Sequence, residues 1–134
     1  RYEDVKNVTY CYDNGHSHCY TDIPVLDVFG KKLSCTHIQD NMGRSRFDRT
    51  HNGDLHLLPF DGITDWDSVA KRIAASGYGY PLSFELSIKS KPDRNDNDCY
   101  AALDPEAYFA AAYNRACKVA ALKLKHESEE NKNG

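Results

Sequence analysis

Alternating and helical patterns of apolar residues follow one another along the chain and predict repeated strand–helix units. Val8–Tyr12 alternates between two faces and predicts a strand, which Asn14-Gly15 is expected to end as a turn. A short helix is predicted from about Pro24 to Phe29, with Gly30 ending it. The next strand is predicted at Leu33–Ile38.

The middle of the chain predicts a loop, an extended piece, a helix and a further strand. Gln39–Gly53 is a polar loop, and Asp54–Pro59 is a short extended segment. Apolar residues at helical spacing predict a helix between Asp65 and Gly77. Pro81–Ile88 alternates most clearly and predicts a strand.

The last part of the chain predicts one long helix. Asp104-Pro105-Glu106 combines a cap, a proline and an acidic residue, and the helix is expected to reach about Lys125. Residues 126–134 are polar and are expected to form a frayed tail. The buried stripe of the helix is predicted to contain Phe109, Ala112, Tyr113, Ala116 and Ala120.

Strands alternating with helices are typical of parallel βαβ units, so the sequence predicts an α/β fold. With 134 residues the chain has room for one domain, residues 1–134. Crossovers of this kind are right-handed, so the predicted strands point the same way and end at one shared edge.

Composition narrows the function classes. The net charge is −3, and the sequence has no basic stripe of the kind expected of a nucleic-acid-binding protein. No apolar run is long enough for a bilayer and no signal peptide opens the chain, which predicts a cytoplasmic protein. The five cysteines form no CxxC pair and are expected to be free thiols, with Cys11 and Cys35 as small buried hydrophobic residues.

Candidate metal ligands stand at successive strand ends. They are Asp13 and His16 in YDNGH, His37 in CTHIQDN, Asp54 and His56 in GDLHLLP, and Glu85 in SFELS. Because parallel strands end at the same edge, we expect these side chains to lie close together. Carboxylates with imidazole favour Mn²⁺, Mg²⁺, Co²⁺ or Zn²⁺.

Each motif alone also has an ordinary structural interpretation. Asp13 can cap the Asn-Gly turn while His16 lies in a surface loop. His37 can be a buried histidine satisfied by a backbone carbonyl. Glu85 can lie on a solvent-exposed face, although both faces of a parallel sheet are usually covered, which favours a metal or cationic partner.

Four segments carry a family resemblance. CYDNGHSH, THIQDNMGR, DLHLLPFDGITDW and SGYGYPLSFEL resemble the C-terminal part of the xylose isomerase-like TIM barrels over roughly residues 5–90. That superfamily includes sugar phosphate isomerases and epimerases as well as endonuclease IV. The resemblance implies the last three strands and helices of a (β/α)₈ barrel.

In the sugar-enzyme branch, the resemblance implies a role for each matching residue. Asp13, His37 and Glu85 would bind one divalent ion, and His16 and Arg44 would hold substrate oxygens. Glu85 would also serve as the acid/base that moves a proton beside the substrate carbonyl. The implied activity is isomerisation or epimerisation of a sugar or sugar phosphate through a metal-stabilised enediolate.

Two alternatives stay open. In the endonuclease IV branch, His16, Asp54 and His56 would hold an additional zinc for repair of abasic DNA. A complete barrel needs about 250 residues, so the chain is also consistent with a non-catalytic fragment. Its incomplete metal shell and open sheet edges predict association with copies of itself or with the missing N-terminal half, and no membrane partner.

Overall fold

The computed structural model describes residues 5–44 and 52–133. The strands are β1 (Tyr10–Asp13), β2 (Leu33–His37), β3 (Gly43–Arg44) and β4 (Asn52–Gly53). The helices are α1 (Asn14–Tyr20), α2 (Val25–Phe29), α3 (Trp66–Ala75), α4 (Asp98–Ala101) and α5 (Pro105–Asn133), and a 3₁₀ turn spans Gly30–Lys32. Within the described ranges, no helix combines the length and apolar content needed to cross a membrane.

A parallel arrangement of backbone segments forms the centre of the structure. β1 and β2 pair in parallel, with Asp13 opposite His37 at their carboxyl ends. The segment after α3 lies on the other side of β2. The amide of Ile38 donates to the carbonyl of Ser83 at 2.9 Å, and the amide of Glu85 donates to the carbonyl of Ile38 at 3.0 Å. The α/β class is therefore confirmed, and three segment ends share one edge.

The predicted strand Pro81–Ile88 is reduced to a single parallel bridge between Phe84 and Ile38. Its backbone soon changes partner, because the amide of Ser87 donates to the carbonyl of His56 at 2.9 Å. A continuous ladder with β2 is thereby interrupted, although the segment keeps the predicted parallel direction.

Asn14-Gly15 begins helix α1 and does not form the predicted turn. Asp13 caps the helix, since its Oδ1 accepts a hydrogen bond from the amide of His16 at 2.9 Å. A Cβ atom at Gly15 would lie 2.3 Å from Cδ of Gln39, so glycine is required by this close approach.

Two apolar clusters fix the helices against the strands. The first lies between the parallel strands and helices α2, α3 and α5; it contains Tyr12, Leu26, Leu33, Ile38, Trp66, Val69, Ile73, Tyr78 and Val119. The second lies beneath the segment that follows β4; it contains Leu55, Leu57, Leu58, Tyr100 and Tyr108. The first cluster buries Tyr12, whereas Cys11 and Asp13, whose side chains lie on the other face of β1, are not buried.

Helix α5 buries a different stripe from the predicted one. Phe109 and Tyr113 are each 70% exposed, whereas Tyr108 and Val119 are buried. Ala112 does pack on the second apolar cluster, as predicted. The pattern was misassigned because large aromatic residues occupy the solvent side of this helix.

The end of α5 is also ordered where a frayed tail was predicted. The helix continues to Asn133, and His126 is buried against α3. Its Nε2 lies 3.0 Å from Oδ1 of Asp67, and its Nδ1 lies 3.3 Å from Oε2 of Glu129. These contacts tie the last turns of α5 to α3.

Replacing His126 by alanine is expected to lower the free energy of unfolding by about 1 kcal/mol, because a buried ring and its contact with Asp67 are lost. Urea unfolding at neutral pH measures the difference. Glu130→Ala, at an exposed position of the same helix, is the control and should have little effect. Equal free energies of unfolding for His126→Ala and the unsubstituted chain would show that the contacts of His126 do not stabilise the fold.

Candidate metal centre

Three predicted ligands meet at the shared edge, and we call them the carboxylate centre: Asp13, His37 and Glu85. One ligand atom from each lies within 4.8 Å of the others. Nδ1 of His37 is 3.0 Å from Oε2 of Glu85, and both side chains are 48% exposed. The set combines two carboxylates with one imidazole and is open to solvent.

A second group lies beside the first, and we call it the imidazole centre: His16, Asp54 and His56. Its ligand atoms also lie within 4.8 Å of one another. The side chain of Asp54 is only 6% exposed, and its oxygens lie 3.4 Å from Nε2 of His16 and 3.5 Å from Nε2 of His56. Nδ1 of His16 reaches Oδ2 of Asp13 at 2.9 Å, so the two centres are adjacent.

Two buried amides hold the strand ends in this arrangement. Asn14 and Gln39 exchange hydrogen bonds of 2.7 and 2.8 Å, which join α1 to the end of β2. The side chain of Gln39 donates to Oδ1 of Asp54 at 3.0 Å and accepts from the amide of His56 at 3.0 Å. Such supporting hydrogen bonds orient candidate ligands before any ion binds.

His56 is held in a restricted conformation that presents one ring nitrogen. Its φ of 54° lies in the left-handed region, which non-glycine residues adopt mainly where surrounding contacts impose it. Nδ1 of His56 is 3.1 Å from the carbonyl oxygen of Glu85. Because that oxygen only accepts, Nδ1 carries the hydrogen, and Nε2 accepts a hydrogen bond from the side-chain amide of Gln39 at 3.3 Å. An ion that binds Nε2 replaces this hydrogen bond.

Asp54 is surrounded by donors. Lys91 Nζ lies 3.5 Å and the hydroxyl of Tyr20 lies 3.2 Å from its Oδ2. Burial alone would raise the pKa of Asp54, but the hydrogen bond from Gln39 and the charge of Lys91 lower it below the usual value. The carboxylate is therefore ionised at neutral pH and already has Lys91, Tyr20 and Gln39 as partners.

Comparison with known families explains this convergence of strand ends. Residues 2–113 match the model of the xylose isomerase-like TIM barrel family. The chain belongs to that family. The resemblance seen in the sequence is thus confirmed, and the parallel strands are those of a TIM-barrel family member.

One similar curated protein is the uncharacterized protein y4fM of Sinorhizobium fredii (strain NBRC 101917 / NGR234). It is 45% identical over 80 residues, which are 58% of this chain and 23% of that protein. The chain therefore spans about a quarter of its relative's length. No match was found among solved structures.

Arg44 has other partners than the two centres of this xylose isomerase-like chain. Its Nε donates to the carbonyl of Cys19 at 3.2 Å, and its Nη1 lies 3.4 Å from Oδ2 of Asp22. Arg44 lines a cavity of about 760 Å³ together with Tyr12 and Arg72. Contact of Arg44 with a substrate at the carboxylate centre stays a prediction.

Sequence reasoning missed several residues of this family member's site. Asn14, Gln39, Tyr20 and Lys91 support the candidate ligands, yet none was predicted to belong to the site. The signal that could have found Gln39 was a polar residue directly after the predicted strand Leu33–Ile38. Lys91 gave no such signal, because a lysine in a charged loop is ordinarily a solvated residue.

Proposed function

We propose that this chain carries the metal centre of a sugar or sugar phosphate isomerase or epimerase. Asp13, His37 and Glu85 would hold one divalent ion. The proximity of their ligand atoms supports this assignment, as does the mixture of oxygen and imidazole donors, which suits Mn²⁺, Mg²⁺, Co²⁺ or Zn²⁺. The exposure of His37 and Glu85 leaves room for substrate oxygens on the same side.

The proposed reaction needs an ion, an acid/base group and a residue that holds the substrate. When bound, the ion would supply Lewis-acid polarisation of a carbonyl oxygen. Glu85 has one oxygen beside His37 and a second that can hold or release a proton at the carbon next to that carbonyl. His16 is half-exposed beside Asp13 and can hydrogen-bond a substrate hydroxyl.

Proton exchange with solvent tests this activity. Ketoses, aldoses and their phosphates are incubated in D₂O with the protein and Mn²⁺, and NMR follows deuterium at the carbon beside the carbonyl. We expect metal-dependent incorporation that Glu85→Gln reduces about 100-fold or more, since general acid–base groups contribute effects of this order. Saturated metal binding without exchange into any of these sugars would contradict the proposal.

A second candidate function is cleavage of abasic DNA at a multi-ion centre. The imidazole centre favours it, because ligand atoms of His16, Asp54 and His56 lie within 4.8 Å of one another, next to the carboxylate centre. Lys91 argues against it, since its ammonium group already supplies positive charge 3.5 Å from Asp54. The number of bound ions therefore discriminates between the two functions.

We expect the chain to bind one divalent ion and the Lys91→Ala variant to bind two, because the substitution removes the positive charge that repels a second ion beside Asp54. Equilibrium dialysis with Zn²⁺ and metal analysis give the stoichiometry. Lys89→Ala, an exposed lysine two residues away, is the matched control and should bind one. Two ions in the unsubstituted chain would favour the DNA-cleaving function instead.

A further inference from the structure

A pair of cysteines lies next to the carboxylate centre on the same face of the parallel strands. Cys11 and Cys35 are register partners across β1 and β2. Each stands two residues before Asp13 or His37, and side chains two apart on a strand share a face. Cys11 is exposed and Cys35 is half-buried, so the sequence prediction that both are buried hydrophobic residues is wrong.

The two thiols and His37 form a compact donor set. One ligand atom from each of Cys11, Cys35 and His37 lies within 4.8 Å of the others. A tetrahedral Zn²⁺ site with usual bond lengths needs about 3.8 Å between two sulfurs and about 3.6 Å between sulfur and nitrogen. These separations fall inside the 4.8 Å limit within which the three ligand atoms lie, and the exposure of Cys11 and His37 leaves a fourth position open to water.

We propose that Cys11, Cys35 and His37 form a site for one thiophilic ion such as Zn²⁺ or Cd²⁺, which we call the thiolate site. Two soft thiolates with one imidazole select such ions over Mg²⁺ or Mn²⁺. Two metal–sulfur bonds form, and the two thiol protons leave to solvent. No oxidant or reductant is needed.

His37 belongs to both the thiolate site and the carboxylate centre, which makes their occupation mutually exclusive. A neutral imidazole offers a lone pair at only one ring nitrogen, so one ring binds one ion. A thiophilic ion on Cys11 and Cys35 therefore withdraws His37 from Asp13 and Glu85. This regulatory step rests on the proposed function, whereas the thiolate site itself does not.

Cadmium titration of the reduced full chain under anaerobic conditions tests the thiolate site. Ultraviolet absorption from cadmium–thiolate charge transfer should saturate at one ion per chain. Cys11→Ser and Cys35→Ser should each weaken binding about tenfold or more, since each removes one direct ligand. Cys99→Ser and Cys117→Ser, at exposed cysteines elsewhere, should leave the titration unchanged. A signal that survives Cys11→Ser and Cys35→Ser would overturn the site.

Manganese release tests the shared histidine separately. One equivalent of Cd²⁺ is added to the Mn²⁺-bound protein. We expect the bound Mn²⁺ to be released, which increases the EPR signal of free Mn²⁺. The Cys11→Ser, Cys35→Ser double variant should need about tenfold more Cd²⁺ for the same release, as expected when the thiolates are lost. Equal release in both proteins would overturn the exclusion. A chain that binds Cd²⁺ through its thiols but never binds Mn²⁺ would contradict the proposed function alone.

Discussion

Replacing Glu85 by glutamine is expected to weaken Mn²⁺ binding at the carboxylate centre about 100-fold or more, because even the loss of a supporting residue costs 10- to 100-fold. The substitution removes a negative charge and a direct ligand while it keeps the size of the side chain. The half-exposed position of Glu85 means that the fold should tolerate the change. Isothermal titration calorimetry gives the affinity directly.

Glu106→Gln is the matched control for this experiment. Glu106 is exposed in the first turn of α5 and belongs to neither candidate centre. It should bind Mn²⁺ as the unsubstituted chain does. An unchanged affinity in Glu85→Gln would remove Glu85 from the ligand set.

Replacing Asp40 by alanine is expected to lower the free energy of unfolding by about 4 kcal/mol, which is near the upper end for single substitutions. Asp40 is fully buried, and its carboxylate accepts from the amides of Phe60 at 2.8 Å and Thr64 at 3.1 Å. It also accepts from the indole of Trp66 at 3.1 Å and from the amide of Asn41 at 2.9 Å. Alanine would leave these donors without their acceptor, and those of Asn41, Thr64 and Trp66 belong to buried residues.

Urea unfolding followed by tryptophan fluorescence measures the effect of Asp40→Ala, since Trp66 contacts this carboxylate. Asp22→Ala, at an exposed position paired with Arg44, is the control and should cost less than about 1 kcal/mol. A similar decrease in the free energy of unfolding in both variants would show that the hydrogen bonds of Asp40 stabilise the fold no more than those of a surface aspartate.

The sequence predicted the elements whose apolar pattern is locally complete. β2, α2 and α3 lie where their periodicity and caps indicated, and the N-cap at Asp65 is present. Parallel strand ends also predicted that Asp13, His37 and Glu85 would lie close together, and the structure brings their ligand atoms within 4.8 Å. Their binding of an ion stays a prediction.

The features that the sequence pattern did not predict depend on contacts between residues far apart in the chain. Asn14-Gly15 favours a turn locally, but Asp13 caps a helix there and Gly15 packs on Gln39. The role of Asp40 depends on donors 20 to 26 residues away, which no local pattern reveals. The proximity of Cys11 and Cys35 likewise depends on the register between β1 and β2, which periodicity alone does not specify.

The most direct test of the central claim is to locate a bound ion. Crystals of the full chain grown with Mn²⁺ provide anomalous difference maps at the manganese absorption edge. The account predicts one strong peak in contact with Asp13, His37 and Glu85. A map with no peak there, or with its strongest peak between His16, Asp54 and His56, would contradict it.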